Sequence, residues 1–206
     1  FQNRGGIAIS DNRIDGNLQC KENVPAPTGG RNQAASFENQ CAGFAGAPVT
    51  PPAPAPGPNG VTICQGSIGT EDYTNLNVPA GASCTLIGTR VSGDITIGAG
   101  ATLLASGLVV GGNIQAQGAA VVTVNNNATV GGGIFLRQGG SATVDQVQVG
   151  GDLQMTANQR ALSATRSQVG GSLRIVDNQA GVVVRSNAVS GVLQCQNNLL
   201  QPLGGA

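Results

Sequence analysis

The chain has 206 residues, with 33 Gly, 10 Pro, four Phe, one Tyr and no Trp or His. Charged residues make up only 10% of the chain and their charges cancel, which excludes the basic surface that nucleic-acid binding requires. No apolar run is long enough for a transmembrane helix, and the lack of His removes the commonest general base and metal ligand.

The first segment, residues 1–45, opens with strand-like alternation. Ile7 and Ile9 alternate with small residues, and Ile14 and Leu18 flank a glycine in the motif IDGNLQC. Apolar residues with a period of two indicate β-strands. We therefore predict that this segment contains a rung, meaning one turn of short strands in a stacked β-fold, followed by a cap.

A Pro-rich linker follows over residues 46–61, with the sequence APVTPPAPAPGPNG at residues 47–60. Such a segment favours extended polyproline II, at about 3.1 Å per residue, so 14 residues reach about 43 Å. The linker separates the first segment from the main domain, residues 62–206.

The main domain carries a sequence repeat. Its pattern is V-x-G-x-[I/L]-x-apolar, from Val91–Ile97 in the first copy to Val189–Cys195 in the last. The motif glycines recur at a nearly constant step along the chain: Gly93, Gly112, Gly132, Gly151, Gly171 and Gly191. So regular a step is the signature of a repeat architecture.

Each repeat has the pattern of short strands joined by tight turns. Apolar residues alternate in the motif, and a second alternating patch, such as Val122 and Val124, follows in the second half of the repeat. This arrangement predicts an all-β fold, a right-handed parallel β-helix (solenoid) with about 20-residue rungs stacked about 4.8 Å apart. The handedness follows from the general preference for right-handed parallel crossovers.

The five cysteines fit a disulfide framework in an oxidising compartment, because no C-x-x-C motif is present. Cys20 and Cys41 would pin the cap of the first segment. Cys64 and Cys84 lie one rung apart and would lock the first turn of the main solenoid. Cys195 is left over, either as a buried free thiol or bonded to a neighbouring chain.

The two ends of the chain match each other. Residues 1–23 align without a gap to residues 176–198, with eight identical positions. The alignment pairs five apolar or cysteine positions at the N-terminus with five at the C-terminus: Ile7, Ile9, Ile14, Leu18 and Cys20 with Val182, Val184, Val189, Leu193 and Cys195. Excluding Cys20, these residues form the predicted assembly interface.

Three interpretations of this match stay open. The N-terminal rung could cover the C-terminal edge of its own solenoid, since the linker reaches far enough to span about seven rungs. It could instead cover the edge of a neighbouring copy, which would make a head-to-tail polymer because a solenoid end is an unpaired strand edge. The third interpretation is that both rungs belong to a longer tandem protein.

Catalytic chemistry has little support in the sequence. Asp94 and Asp152 hold the same motif position but lie three rungs, roughly 14 Å, apart, which is too far for a glycosidase pair. The adjacent pair Glu71 and Asp72 fits a solvated turn. We predict no catalytic residues, no metal site and no cofactor, and hence no enzyme.

The rungs resemble those of the bactofilins, bacterial β-solenoid proteins, over residues 84–195. That resemblance implies end-to-end polymerisation without nucleotide in the cytoplasm. The cysteines and Pro-rich motifs are instead similar to those of uncharacterised secreted bacterial β-solenoid repeat proteins, in GNLQCKENVPAPTGG at Gly16–Gly30 and VPAGASCTL at Val78–Leu86. The resemblance supplies no catalytic residue.

The sequence thus predicts a secreted structural protein, located outside the cell or at its surface. Its partner would be itself, as a head-to-tail homopolymer in which the N-terminal rung completes the C-terminal edge of a neighbour. Neither nucleic acid nor membrane insertion is expected. The alternative is a monomeric surface or adhesin-type solenoid that binds a ligand.

Overall fold

The computed structural model describes residues 8–10, 17–20, 25–30, 32, 34, 36–45, 60–199 and 203–205. The chain divides into two compact units, residues 1–53 and residues 54–206, which we describe separately. No α-helix occurs among the described residues. The predicted linker lies outside them, except for its last two residues, Gly60 and Val61.

The N-terminal unit is built from four short strands, β1 (Ala8–Ser10), β2 (Asn17–Cys20), β3 (Thr28–Gly30) and β4 (Ser36–Asn39). β1 pairs in parallel with β3, and β2 pairs in parallel with β4. Paired residues are one repeat length apart along the chain, as in Ala8 with Thr28 and Leu18 with Phe37. The unit therefore consists of two solenoid coils, and the segment predicted as a cap supplies the second.

The second unit is a long solenoid in which each coil contributes up to three strands. In chain order the strands are β5 (Val61–Ile63), β6 (Gly66–Ile68), β7 (Asp72–Tyr73), β8 (Asn75–Val78), β9 (Ser83–Ile87), β10 (Arg90–Val91), β11 (Ile95–Ile97), β12 (Thr102–Ser106), β13 (Val109–Val110), β14 (Ile114–Gln117), β15 (Val121–Asn125), β16 (Thr129–Val130), β17 (Ile134–Arg137), β18 (Ser141–Asp145), β19 (Gln148–Val149), β20 (Leu153–Thr156), β21 (Leu162–Thr165), β22 (Gln168–Val169), β23 (Leu173–Val176), β24 (Val182–Arg185), β25 (Ala188–Val189), β26 (Leu193–Gln196) and β27 (Leu203–Gly205).

Every third strand of the solenoid joins the same parallel sheet. The first sheet runs from β5 to β26 and the second from β6 to β27, each with eight strands. The third sheet runs from β7 to β25, and each of its seven strands is very short. The structure thus confirms a parallel β-solenoid whose coils match the sequence repeat. We call the three sheets face 1, face 2 and face 3.

The core consists of apolar columns that run along the solenoid. On face 1 the column of Ile95, Ile114, Ile134, Leu153 and Leu173 is fully buried. On face 2, smaller side chains such as Val122 and Ala142 occupy the matching inward positions. Because the interior is narrow, small aliphatic side chains fill it at the density of a protein core without aromatic bulk.

The glycines of the repeat motif allow the coils to approach at the corner between face 3 and face 1. A Cβ atom placed on Gly132 would lie 2.7 Å from the carbonyl oxygen of Gly112, one coil earlier. A Cβ on Gly191 would lie 2.7 Å from the carbonyl oxygen of Gly171. These corners therefore need glycine, because neighbouring backbones touch there.

Candidate functional site at the C-terminal coil

Two aspartates at the same motif position, Asp94 and Asp152, accept hydrogen bonds from the next coil. The carboxylate of Asp94 accepts from the backbone N–H of Asn113 at 2.6 Å, and that of Asp152 accepts from the N–H of Ser172 at 2.8 Å. The Ser172 N–H is the main reason that the pKa of Asp152 lies below its usual range. These carboxylates hold adjacent coils together.

Glu71 and Asp72, the predicted acidic pair, each contact another side chain of the protein. Asp72 lies 3.5 Å from Arg90, one coil later, and Glu71 accepts a hydrogen bond from the Tyr73 hydroxyl. Desolvation, followed by the contact with Glu71, raises the pKa of Tyr73 to about 12. Among the described residues, no three His, Cys, Asp or Glu side chains cluster as metal ligands would. The same residues include no helix that could cross a membrane.

The clearest irregularity of the solenoid is its C-terminal coil, residues 188–199. Leu193 continues the inward column of face 1, opposite Leu173, yet Leu193 is 53% exposed whereas Leu173 is 0% exposed. Val192 and Leu199 in the same coil are 63% and 73% exposed. The first coils differ, since Cys64, Ile68 and Leu76 are buried there. Within the part of the chain that the structure describes, the apolar interior is therefore uncovered at the C-terminal end of the solenoid.

The same coil presents unpaired strand edges. In the described part of the chain, β25 pairs only with β22, and β26 pairs only with β23. On face 2 the edge is covered, because β27 pairs with β24. We call the uncovered ends of β25 and β26, with the side chains of Val189, Leu193 and Cys195, the open edge. An unpaired edge of this kind is a template for another strand.

A column of asparagines, buried at Asn158 and Asn178 and half-buried at Asn198, leads to the open edge. The side-chain oxygen of Asn178 accepts from the backbone N–H and the side-chain amide of Asn158, at 2.9 and 3.0 Å. Asn198 accepts in the same way from Asn178, at 3.1 and 2.9 Å. Each side-chain amide also donates to a carbonyl of an earlier coil, as Asn178 does to Met155. Asn198 is the last member of this ladder in the described chain.

The structure places the N-terminal unit and the C-terminal coil in the same local fold. Ala8 pairs with Thr28 in the N-terminal unit, and Val183 pairs with Leu203 at the C-terminal end. One and the same shift in residue number takes Ala8 to Val183 and Thr28 to Leu203. With that shift, β2 falls on the strand β26. The strand alignment expected from the sequence match of the two ends is therefore present.

The predicted interface residues divide between these two places. Val182 and Val184 are buried in β24, Val189 is half-buried in β25, and Leu193 is exposed in β26. In the N-terminal unit, Ile9 and Leu18 are half-buried. Ile7 and Ile14 lie outside the described residues.

The four remaining cysteines form the two predicted pairs. Cys20 and Cys41 have Cα atoms 5.3 Å apart, and Cys64 and Cys84 have Cα atoms 5.6 Å apart, which suits a disulfide. Cys195 is a free cysteine and is exposed, so the prediction of a buried thiol is wrong: within the described chain no further coil covers it. Partial desolvation raises the pKa of its thiol above the ordinary value.

A second surface feature lies along face 3. A shallow groove of about 350 Å³ runs over four successive coils, with Gly131, Gly150 and Gly170 in its wall. Polar side chains from the strands of face 3, including Thr129 and Gln148, border it. The groove offers amide and backbone groups for hydrogen bonding and no charged side chain in its lining.

Comparisons with known protein families, with curated proteins and with solved structures find no match to this chain. The class of protein is therefore defined by the structure, as a β-solenoid with two cysteine pairs at disulfide distance. The resemblance to bactofilins and to secreted repeat proteins rests on the sequence motifs alone.

Sequence reasoning missed two features of this site. One is the asparagine ladder, although Asn158, Asn178 and Asn198 recur in three successive coils and could have been recognised by that spacing. The other is β27, whose residues Leu203–Gly205 show no alternation. The strand β27 depends on its contact with β24, which a local pattern in the sequence does not report.

Proposed function

We propose that the protein is a structural subunit of an extracellular filament, in which β-solenoids stack head to tail. The observation that carries this proposal is the uncovered interior at the open edge, where Leu193 is 53% exposed at a position that is fully buried one coil earlier. Solvation of an apolar column is unfavourable, and another coil of the same pattern would remove it from water.

The donor in this proposal is the N-terminal rung of a neighbouring copy. The register of the solenoid stacks matching positions of successive coils, as Leu173 and Ile175 stack on Leu193 and Cys195. A donated rung in that register places Leu18 over Leu193 and Ile14 over Val189. Backbone hydrogen bonds would supply affinity, while the matching apolar columns would set the register.

The outward side chains permit this stacking. Gln194 ends the outward column of face 1, and Gln19 is the matching residue of the donor. Two amide side chains can exchange hydrogen bonds without charge repulsion. The donor also carries Asn12 and Asn23 at the places of Asn187 and Asn198, so the amide ladders could continue across the joint.

Extracellular location is part of the proposal. Two cysteine pairs at disulfide distance are typical of an oxidising environment. In such a compartment no nucleotide or chaperone supply would be needed for assembly, because the proposed joint uses only strand pairing and apolar burial.

The test compares the full chain with Leu193→Asp and with Gln194→Asp. Leu193 and Gln194 are adjacent in β26, but Leu193 points into the joint and Gln194 points outward. Burying an unpaired carboxylate should weaken the joint by at least about 100-fold, whereas the outward carboxylate should change it less than about tenfold. Electron microscopy and analytical ultracentrifugation measure assembly, and removal of residues 1–45 should abolish it.

Filaments that persist unchanged without residues 1–45, or in Leu193→Asp, would contradict the donated-rung mechanism. Monodisperse monomers of the intact chain at high concentration would contradict filament formation altogether. Circular dichroism of each variant shows that the solenoid has kept its β-structure.

The alternative function is a monomeric surface module that binds a ligand. The shallow groove along face 3 favours it, because its repeated amide and backbone groups could hold a polar chain-like ligand such as a polysaccharide. Binding of polysaccharides to monomeric protein, lost in Gln148→Ala together with Gln168→Ala, would support this alternative.

A further inference from the structure

Cys195 is at the open edge, in a position that carries a disulfide elsewhere in the same chain. The shift in residue number that takes Ala8 to Val183 and Thr28 to Leu203 also takes Cys20 to Cys195. Cys20 is bonded to Cys41, which follows the strand of the next coil. The local fold around Cys195 is therefore one that accepts a sulfur from the adjacent coil.

The proposed joint brings a partner for Cys195 into reach. In the solenoid, Cys195 lies opposite Ile175 of the preceding coil, and both residues belong to the inward column of face 1. A donated rung in the same register continues that column with Cys20 of the neighbouring copy, about 4.8 Å away. This spacing lies within the Cα separation that disulfides span.

Three sulfur atoms would then follow one another along the solenoid axis: Cys195 of the acceptor, then Cys20 and Cys41 of the donor. Thiol–disulfide exchange proceeds by attack of a thiolate on one sulfur while the other sulfur leaves. A column presents the attacking sulfur on the side opposite the leaving sulfur, which suits this displacement. Cys41 is one coil farther away, so Cys20 is the sulfur under attack.

We infer that the filament joint is closed covalently by this exchange, an inference that rests on the proposed function. The thiolate of Cys195 forms a bond to the sulfur of Cys20 in the next copy, and the bond between Cys20 and Cys41 breaks. The electron pair of the broken bond leaves with Cys41, which takes up the proton that Cys195 lost. One disulfide is exchanged for another, so no oxidant or reductant is consumed.

Exchange and oxidation predict different products. Oxidation of two Cys195 thiols would join two acceptor ends and stop at a dimer with no free thiol. Exchange joins an acceptor to a donor, keeps one free thiol per copy and permits a ladder of longer oligomers. The free thiol moves from Cys195 to Cys41 as the joint closes.

The rate of exchange should depend on pH. Partial desolvation raises the pKa of Cys195, so only a small fraction is thiolate near neutrality. Below that pKa the thiolate fraction increases about tenfold per pH unit, and covalent closure should accelerate by about that factor. Assembly without covalent closure has no reason to share this dependence.

Tryptic mapping of the full chain provides the test. Trypsin cleaves after Lys and Arg, so Cys20 lies in peptide 14–21 and Cys195 in peptide 186–206, while Cys41 lies in peptide 32–90. Assembled protein is quenched with N-ethylmaleimide, run on a non-reducing gel and digested. We expect a ladder of oligomers, peptide 14–21 linked to peptide 186–206, and the maleimide on Cys41.

The variant Cys195→Ser lacks the attacking thiolate, so the non-reducing gel should show only monomers, and Cys20 should stay bonded to Cys41. The bond between Cys64 and Cys84 serves as an internal control, because it lies in the first coils of the solenoid and should stay intact. Filaments of the full chain whose maleimide stays on Cys195 would overturn the inference and leave the proposed function standing. Covalent dimers linked through Cys195 alone would also overturn it, and absence of any filament would overturn both.

Discussion

Ala157 adopts a backbone conformation that alanine disfavours. Its φ angle is 56°, and the residues at the same place in neighbouring coils, Gly118, Gln138, Asp177 and Asn197, have φ angles between 52° and 71°. A left-handed conformation costs an ordinary L-residue about 1–2 kcal/mol, because Cβ approaches the backbone. The corner between face 1 and face 2 imposes this conformation whatever residue occupies it.

The substitution Ala157→Gly should therefore stabilise the solenoid by about 0.5–1 kcal/mol, the balance between relief of strain and the greater entropy of glycine when unfolded. Chemical denaturation followed by circular dichroism measures the free energy of unfolding. Ala164→Gly is the matched control, because Ala164 is fully buried in β21 with no positive φ, and this change should destabilise by about 1 kcal/mol. Equal effects of the two changes would contradict the argument.

The sequence revealed only some of the left-handed residues at the corners of the coils, for a physical reason. Gly and Asn at turns indicate left-handed residues, and Asn126 and Gly100 do have positive φ. Gln138, Ala157 and Arg166 carry no such signal, yet they adopt the same conformation. Stacking on neighbouring coils dictates their backbone, and that constraint is absent from any local window of sequence.

Strands were predictable to the extent that they bury alternate side chains. The pairs Ile95 and Ile97 on face 1, and Val122 and Val124 on face 2, alternate with exposed or half-buried residues as the sequence indicates. The strands of face 3 are too short for alternation to be recognised. β4 has the sequence SFEN and owes its strand to pairing with β2.

The candidate site was partly predictable for the same reason. The match of the two ends located both Leu193 and Leu18 in the correct strands. It could not show that Leu193 and Cys195 are exposed, because exposure depends on whether another coil follows in space. The strand β27 likewise depends on contact with β24, which lies one coil earlier.

β27 occupies a place that the proposed joint requires. It pairs with β24 on face 2, and a donated rung in register would put the neighbour's β1 over β24. The two strands therefore compete for one row of backbone hydrogen bonds. Removing residues 200–206 should lower the critical concentration for assembly several-fold, which light scattering measures.

A chain that lacks only Ala206 is the matched control for this truncation, because β27 ends at Gly205. That chain should assemble as the full chain does. If the truncated chain assembles no better than the control, β27 does not compete with the donor.

At the scale of the whole molecule, the solenoid is a stack of nearly independent layers. Each coil contacts mainly the coils before and after it, so stability is approximately a sum of coil and interface contributions. A whole coil should therefore be removable. Deleting residues 134–152 joins Gly133 to Leu153 and keeps every later residue in its column, because Leu153 then stacks on Ile114 as Ile134 did.

This shortened chain should fold cooperatively and still assemble, with a lower free energy of unfolding. Circular dichroism and size-exclusion chromatography measure the outcome. Deleting residues 134–143 instead removes half a coil, joins Gly133 to Val144 and moves the strands of face 2 onto face 1, so this control should not fold. Failure of the whole-coil deletion together with the half-coil deletion would show that the coils are not interchangeable layers.

The parallel pairing of all these strands has a consequence for symmetry. A stack of parallel coils has no two-fold axis across its length, so its first and last coils present different surfaces. Copies joined through these two surfaces must all point the same way. Such a polymer is polar along its axis, and its two tips could grow at different rates or be anchored selectively.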